Sequence, residues 1–200
     1  MYVHQKTPFF YAIIALNALK HRTRKGWTLR GVKEPESVAE HSWKSAVIAL
    51  ALAPPKMNKG KVLSLALLDD LSEVFAEDIT PLDGLSKDEK EKVERRAVEK
   101  FVSLLPEKNR REWKKAWQEV EEGKTPEARF VKECEVLEML FQALEYEQAG
   151  NFERDLTGYL ARDSKRITLP ALKKLAREID LQWPLKAKKK FDPKKHRYYY

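Results

Sequence analysis

Along its 200 residues the chain shows no period-two alternation of apolar and polar residues, yet helix-opening signals recur throughout. Thr7-Pro8 and Thr125-Pro126 each place a capping hydroxyl before a proline, whose fixed φ suits the first helical position. Ser37 with Glu40, and Ser86 with Glu89, have the S-x-x-E spacing in which hydroxyl and carboxylate each accept the other residue's backbone N–H. Stops follow at Pro54-Pro55, Leu105-Pro106, Gly123 and Gly150. These signals predict helices from Pro8 to about Lys20, from about Val38 to a stop before Pro54-Pro55, over roughly Lys59 to Phe75, and from Ser86 to near Leu105-Pro106. Others are expected over Glu107–Glu122, from Pro126 to near Gly150, and from Pro170 to Ile179. The expectation is an all-α, single-domain helical bundle over residues 1–184, followed by a basic tail over residues 185–200.

Seven Lys or Arg against one Asp in that tail account for most of the formal net charge of +8, leaving about +2 for the body. A short basic end is the composition of a solvated terminus, so the chain does not read as a nucleic-acid binder. The loop HRTRK adds cations but no stacked aromatic platform. Cys134 is the single cysteine, which excludes an intramolecular disulfide and a thiolate metal cluster. The apolar run FFYAIIALNAL is too short to span a bilayer, and its basic residues follow it rather than precede it. A cytoplasmic protein without a membrane anchor is expected.

The stretch LALLDDLSEVFAEDIT, residues 65–80, sets Asp69 and Asp70 among leucines. Taking a carboxylate out of water costs several kcal/mol unless a cation or hydrogen-bond donor compensates, so the pair is either solvated or bound to something. On an α-helix both aspartates stand close to Glu73, one turn on, and acids at a helix C-terminus oppose the helix dipole. A bound cation removes that cost; a solvated face tolerates it.

PESVAEHSW, LALLDDLSEVFAEDITP and EARFVKECEVLEMLFQALEYE, in that order on a helical chain, resemble the HD-domain metal phosphohydrolases, in particular the 5′-deoxynucleotidase subgroup. The likeness covers about residues 17–151 and implies an HD-type helical bundle. It further implies release of phosphate from (deoxy)nucleoside 5′-monophosphates and a homodimer. By that resemblance the metal ligands are His41, Asp69, Asp70 and Glu135. Asp69 stands where the family has histidine in its adjacent His-Asp pair, and Glu135 where it has aspartate. Glu73 and Asp78 take the positions that activate water or protonate the leaving group. Arg24 and Trp27, in RTRKGW, match the residues that hold the phosphate and line the sugar or base pocket. Glu77 replaces a usual glycine beside Asp78 and adds bulk to that turn.

One imidazole with three carboxylates is a harder, more negative donor set than the family's, and it favours Mn²⁺, Co²⁺ or Mg²⁺ over Zn²⁺, Ni²⁺ or Cu²⁺. The competing expectation is a relative weakened or silenced by the changes at Asp69 and Glu135, which keeps the fold and binds nucleotides or a partner. Trp113 and Trp117, one turn apart, are expected in the core or at a subunit contact. Cys134, on the apolar stripe with Phe130 and Leu137, is expected to be inert.

Overall fold

The caps form as their chemistry requires. Ser37 Oγ accepts the Glu40 N–H at 3.2 Å while Glu40 Oε2 accepts the Ser37 N–H at 2.7 Å, and Ser86 with Glu89 makes the same box. The Thr7 and Thr125 hydroxyls accept from the N–H groups of Phe10 and Ala128. In the computed structural model, which describes residues 7–80 and 83–184, the helices are α1 Pro8–Ala15, α2 Ala18–His21, α3 Lys25–Thr28, α4 Val38–Leu52 and α5 Lys59–Leu68. They continue with α6 Lys87–Ser103, α7 Glu107–Glu122, α8 Pro126–Ala149, α9 Thr157–Asp163 and α10 Pro170–Gln182. Among the described residues there is no sheet, only one isolated antiparallel bridge between Thr23 and Ser37. The basic tail and the proline after Thr80 lie outside these residues.

Helix α8 is the axis of the fold. Its 24 residues span about 36 Å, and α4, α5, α7, α9 and α10 all pack against it. Phe130, Cys134, Leu137 and Leu140 are buried along it in the larger core. A smaller core gathers Leu68, Leu71 and Val74 with Val98, Phe101 and Val102 of α6 and Trp117 of α7. Trp113 packs on this core, its ring stacked 6.1 Å from Phe101, so both tryptophans serve the interior.

Five differences separate the observed elements from the sequence expectation. The first expected helix divides at Leu16-Asn17 into α1 and α2. The basic loop contains the short α3, α9 was not foreseen, and α10 runs three residues beyond Ile179. The most consequential concerns the expected helix over Lys59–Phe75. Its α-helical part stops at Leu68, and Asp69–Val74 tighten into a 3-10 helix. At three residues per turn, positions i and i+3 eclipse. Leu68, Leu71 and Val74 therefore stack on one face and enter the smaller core. Asp70 and Glu73 stack on a second face, and Asp69 aligns with Ser72, not with Glu73 as an α-helix would have it.

Because Leu71 is the middle rung that holds this 3-10 turn against the core, Leu71→Ala is expected to cost about 2–5 kcal/mol. Urea unfolding checks it: the midpoint falls while the slope stays unchanged.

Candidate active site

The 3-10 turn delivers its acidic face to a cavity of about 210 Å³. His41, Asp69, Asp70, Glu73, Asp78 and Glu135 all line it, as does Arg24. Trp27 lies beside it, lining an adjoining cavity of about 570 Å³ that also includes Arg24 and Asp78. Residues spread over more than a hundred positions of sequence thus meet at one place. Local pairings explain how. The Arg24 N–H donates to the Glu36 carbonyl at 2.9 Å and the Val38 N–H to the Arg22 carbonyl at 2.8 Å, which sews the Arg24 loop to the start of α4. Asp78 Oδ2 accepts the Lys25 N–H at 2.8 Å and so caps α3. Glu77 is exposed with a negative φ, so the turn accommodates it without strain.

His41 sits one turn into α4 with its Nδ1 2.5 Å from Glu138 Oε2, and Glu138, on α8, is 0% exposed. Lys44 Nζ reaches the other carboxylate oxygen at 3.1 Å. Burial opposes the charge of Glu138, but His41 and Lys44 hold its pKa below the ordinary value. With Nδ1 taken by Glu138, the nitrogen that His41 offers to a ligand is Nε2. Glu36 completes a buried triad with His41 and Glu138, their ligand atoms within 4.8 Å of one another. One Glu36 oxygen accepts from Trp27 Nε1 at 2.9 Å, and Glu36 and Glu138 stand behind His41, which lines the cavity.

The acids divide by their partners. Asp70 is half-buried, and desolvation opposes its charge, but His41, Arg24 at 3.9 Å and the Ser42 hydroxyl at 2.6 Å bring its pKa below the ordinary value. Asp69 takes a different partner: Lys132 of α8 donates to its Oδ1 at 2.7 Å, contacts Glu121 at 3.2 Å and lies 3.9 Å from Glu135. Burial pushes the Asp69 carboxyl up to about 6 even so. Glu73 is driven further, to about 8, by burial and then by the charges of Asp70 and Asp78, and its Oε2 is buried without a hydrogen-bond partner. Arg24 is held charged against its burial by Asp70, Asp78, Glu73 and Glu36.

A profile of the HD domain matches residues 16–174. The chain belongs to the HD domain family. It is 35% identical to 5′-deoxynucleotidase HDDC2 of Mus musculus over 82% of each chain. It is 34% identical to a 5′-deoxynucleotidase of Schizosaccharomyces pombe over 72% of this chain and 75% of the relative. The fold resembles the crystal structure of a Pyrococcus horikoshii protein with a TM-score of 0.70 and 29% identity, covering 86% of this chain and 99% of that one.

In this HD domain the acids that line the small cavity outnumber its cations, and a buried carboxylate oxygen of Glu73 lacks a donor. That donor set fits a divalent cation. Lys132, Glu138 and Glu36 were missed in the sequence. Glu138 had a signal, since it is a charged residue on the otherwise apolar core face of α8, four after Cys134. Cys134 itself is buried, and burial pushes its thiol up to about 12, so it is inert.

The Glu73 shift has a consequence for stability. Its folded pKa lies above the ordinary value of 4.5, so between about pH 4.5 and 8 the folded chain holds a proton that the unfolded chain releases. Stability of the metal-free protein therefore falls as pH rises through that window. Glu73→Gln removes this loss and is expected to stabilise the chelator-treated protein by on the order of 2 kcal/mol at pH 8–9, the gain shrinking toward pH 5. Thermal melts across that range check it.

Proposed function

We propose that this chain is a metal-dependent phosphohydrolase that converts 2′-deoxynucleoside 5′-monophosphates and water to nucleoside and phosphate. The observation that carries the reading is the adjacency of two unlike cavities. One is small, acidic and suited to a cation; the other is larger and bounded by Trp27 and Tyr159, whose ring centroids are 4.7 Å apart. Arg24 stands on both, where a phosphate would join the two halves of the substrate. The relatives' activity as 5′-deoxynucleotidases points the same way.

His41 through Nε2 and Asp70 are the first ligands in this reading. Asp69 and Glu135 complete the set in competition with Lys132, and the ion is Mn²⁺, Co²⁺ or Mg²⁺. Such an ion supplies Lewis acidity, lowering the pKa of water and offsetting charge that develops on the phosphoryl group. Arg24 binds the phosphate oxygens with its planar fork. Glu73, protonated near neutral pH, and Asp78, placed on the seam of the cavities, move the protons of the attacking water and the leaving 5′ oxygen. Trp27, its indole N–H tied to Glu36, lines the nucleoside pocket with an apolar face.

The chain is further proposed to form a homodimer in the cytoplasm. Trp43, 66% exposed, continues with Val47 and Leu50 as an apolar stripe on α4, and α1 exposes Phe9, Phe10, Ile13 and Ile14. No helix among the described residues is long and apolar enough to cross a membrane. Arg24 faces Asp70 and the Lys25 ammonium pairs with Asp83, so both cations of the basic loop already have acidic partners, which argues against a nucleic-acid surface there.

Phosphate release from a panel of deoxy- and ribonucleoside 5′-monophosphates, with Mn²⁺, Co²⁺, Mg²⁺ or chelator, tests the function. Turnover lost with chelator is expected, with a fall of about a hundredfold or more in kcat/KM for Arg24→Ala and Asp78→Asn. Silence of the parent chain alongside activity in Asp69→His would favour a disabled relative instead. Trp43→Glu is expected to shift the chain to monomer in sedimentation velocity, with its helical content retained.

A further inference from the structure

Where the two cavities meet, five residues line both: Arg24, Asp78, Lys90, Met139 and Arg166. Three of the five are cations, while the chambers on either side differ in character. Beyond the seam the small cavity is dominated by carboxylates, and the larger one presents the aromatic pair of Trp27 and Tyr159. The seam is thus the place where an anionic group is best satisfied, with a cation site on one side and an apolar wall on the other. Arg24 supplies the guanidinium from the N-terminal loop. Lys90 of α6 is engaged by Glu94 at 3.2 Å.

Arg166 comes from a part of the chain to which neither the motifs nor the resemblance gave a role. It ends the 3-10 turn Ser164–Arg166 that follows α9. Asp163, the last residue of α9, is 0% exposed and accepts from Arg166 NH1 at 3.1 Å and from Arg162 Nε at 2.9 Å. A fully buried carboxylate is costly unless it is paired, and here two guanidinium groups pair it. The arrangement tethers one nitrogen of Arg166 while the side chain stays 59% exposed at the cavity rim, leaving the rest of its planar fork for an oxyanion. Arg162 is occupied differently, lying over the Tyr159 ring 5.5 Å from its centroid.

We propose that Arg166 is a second phosphate-binding residue, acting with Arg24 across the seam, and that Asp163 is its positioning residue. The proposal rests on the phosphohydrolase reading and extends it, since it assigns the substrate's phosphate a clamp from both ends of the domain. Two guanidinium groups engage more of the phosphate oxygens than Arg24 alone and still leave one for a metal ion.

The test uses the full-length chain with Co²⁺ and measures three quantities: KM and kcat for a deoxynucleoside 5′-monophosphate, inhibition by inorganic phosphate, and Co²⁺ affinity by titration. For Arg166→Ala the expected result is a KM raised about tenfold or more, exceeding any fall in kcat, with phosphate inhibition weakened by a similar factor. Arg166→Lys is expected to recover part of both, and Co²⁺ affinity is expected to stay within about twofold of the parent value because Arg166 is not among the ion's donors. Asp163→Asn is expected to move KM and phosphate inhibition in the same direction as Arg166→Ala. Should it fail to fold, the exposed Arg166 variants still decide the matter. A parent that hydrolyses the nucleotide while Arg166→Ala matches it in KM and phosphate inhibition overturns the clamp and leaves the phosphohydrolase reading standing. A parent that neither hydrolyses the nucleotide nor binds phosphate overturns both.

Discussion

The pairing of His41 with Glu138 is the constraint from which the rest of the site follows. It joins α4 to α8 in the interior, where neither partner has water to replace the other. Breaking a buried pair by removing one member leaves the other charge or lone pair uncompensated, which costs far more than the pair contributes when intact. Once Glu138 holds Nδ1, the imidazole has one orientation and one nitrogen to offer, and the helix that carries it has one register against α8. Asp70 then finds its place through Ser42, one residue after His41 on the same helix, whose hydroxyl donates to the carboxylate at 2.6 Å. The antiparallel bridge at Thr23 and Ser37 ties the Arg24 loop to the same helix start. A few short polar contacts around α4 therefore carry out the assembly that no single motif specifies.

What could be read in the sequence was what local chemistry decides. Capping boxes and Thr-Pro pairs mark helix starts because the cap hydroxyl and the acid three residues later have no better partners than the free N–H groups of the first turn. The limits of α4, α7 and α8 were readable for that reason. Asp69–Val74 was read with the wrong period, although Leu68, Leu71 and Val74 recur at strict threes, the spacing of a 3-10 helix. An α-helical stripe of that length would advance by three and four. The error is not neutral, because it placed both aspartates beside Glu73 when the tight turn aligns only Asp70 with it. The segment over α9 was missed for another reason. Its neighbours are fixed by distant backbone contacts, such as the Arg30 carbonyl accepting the N–H groups of Glu153 and Arg154, which no local pattern encodes. Gly31, at φ +72° and with Glu153 only 2.6 Å from where a Cβ would stand, makes that close approach possible.

The two proposed ligand positions at which the resemblance has the chain depart from the HD pattern share one neighbour. Asp69 and Glu135 both lie against Lys132, the first at 2.7 Å and the second at 3.9 Å. Asp69, where the resemblance expects a histidine, puts negative charge in a buried wall, and that charge is met by the ammonium of Lys132 projecting from α8. Lys132 in turn is held charged against its own burial by Asp69 and Glu121. The departures thus belong to one charge-balanced cluster, and their effect on a bound ion is joint: a cation that takes Asp69 and Glu135 must also leave Lys132 its compensation in Glu121. Double-mutant additivity is not to be expected among these groups, since each single change alters the partner of the others.

The same crowding of carboxylates that suits the small cavity to a cation works against the stability of the metal-free fold. Asp69 and Glu73 are both raised well above the ordinary carboxylate range, and for both the first cause is burial. A chain selected for stability alone would replace Glu73 with an amide, since its buried Oε2 has no donor. The larger cavity carries no such strain: Trp27 satisfies its N–H through Glu36, and Tyr159 donates to the Gly26 carbonyl at 3.2 Å. Unmet polar demand is concentrated on the side where a cation would answer it, while the aromatic side is already at rest. In the proposed reading that asymmetry orients the substrate, phosphate toward the charged turn and nucleoside toward the aromatic wall, before any contact with the base is considered.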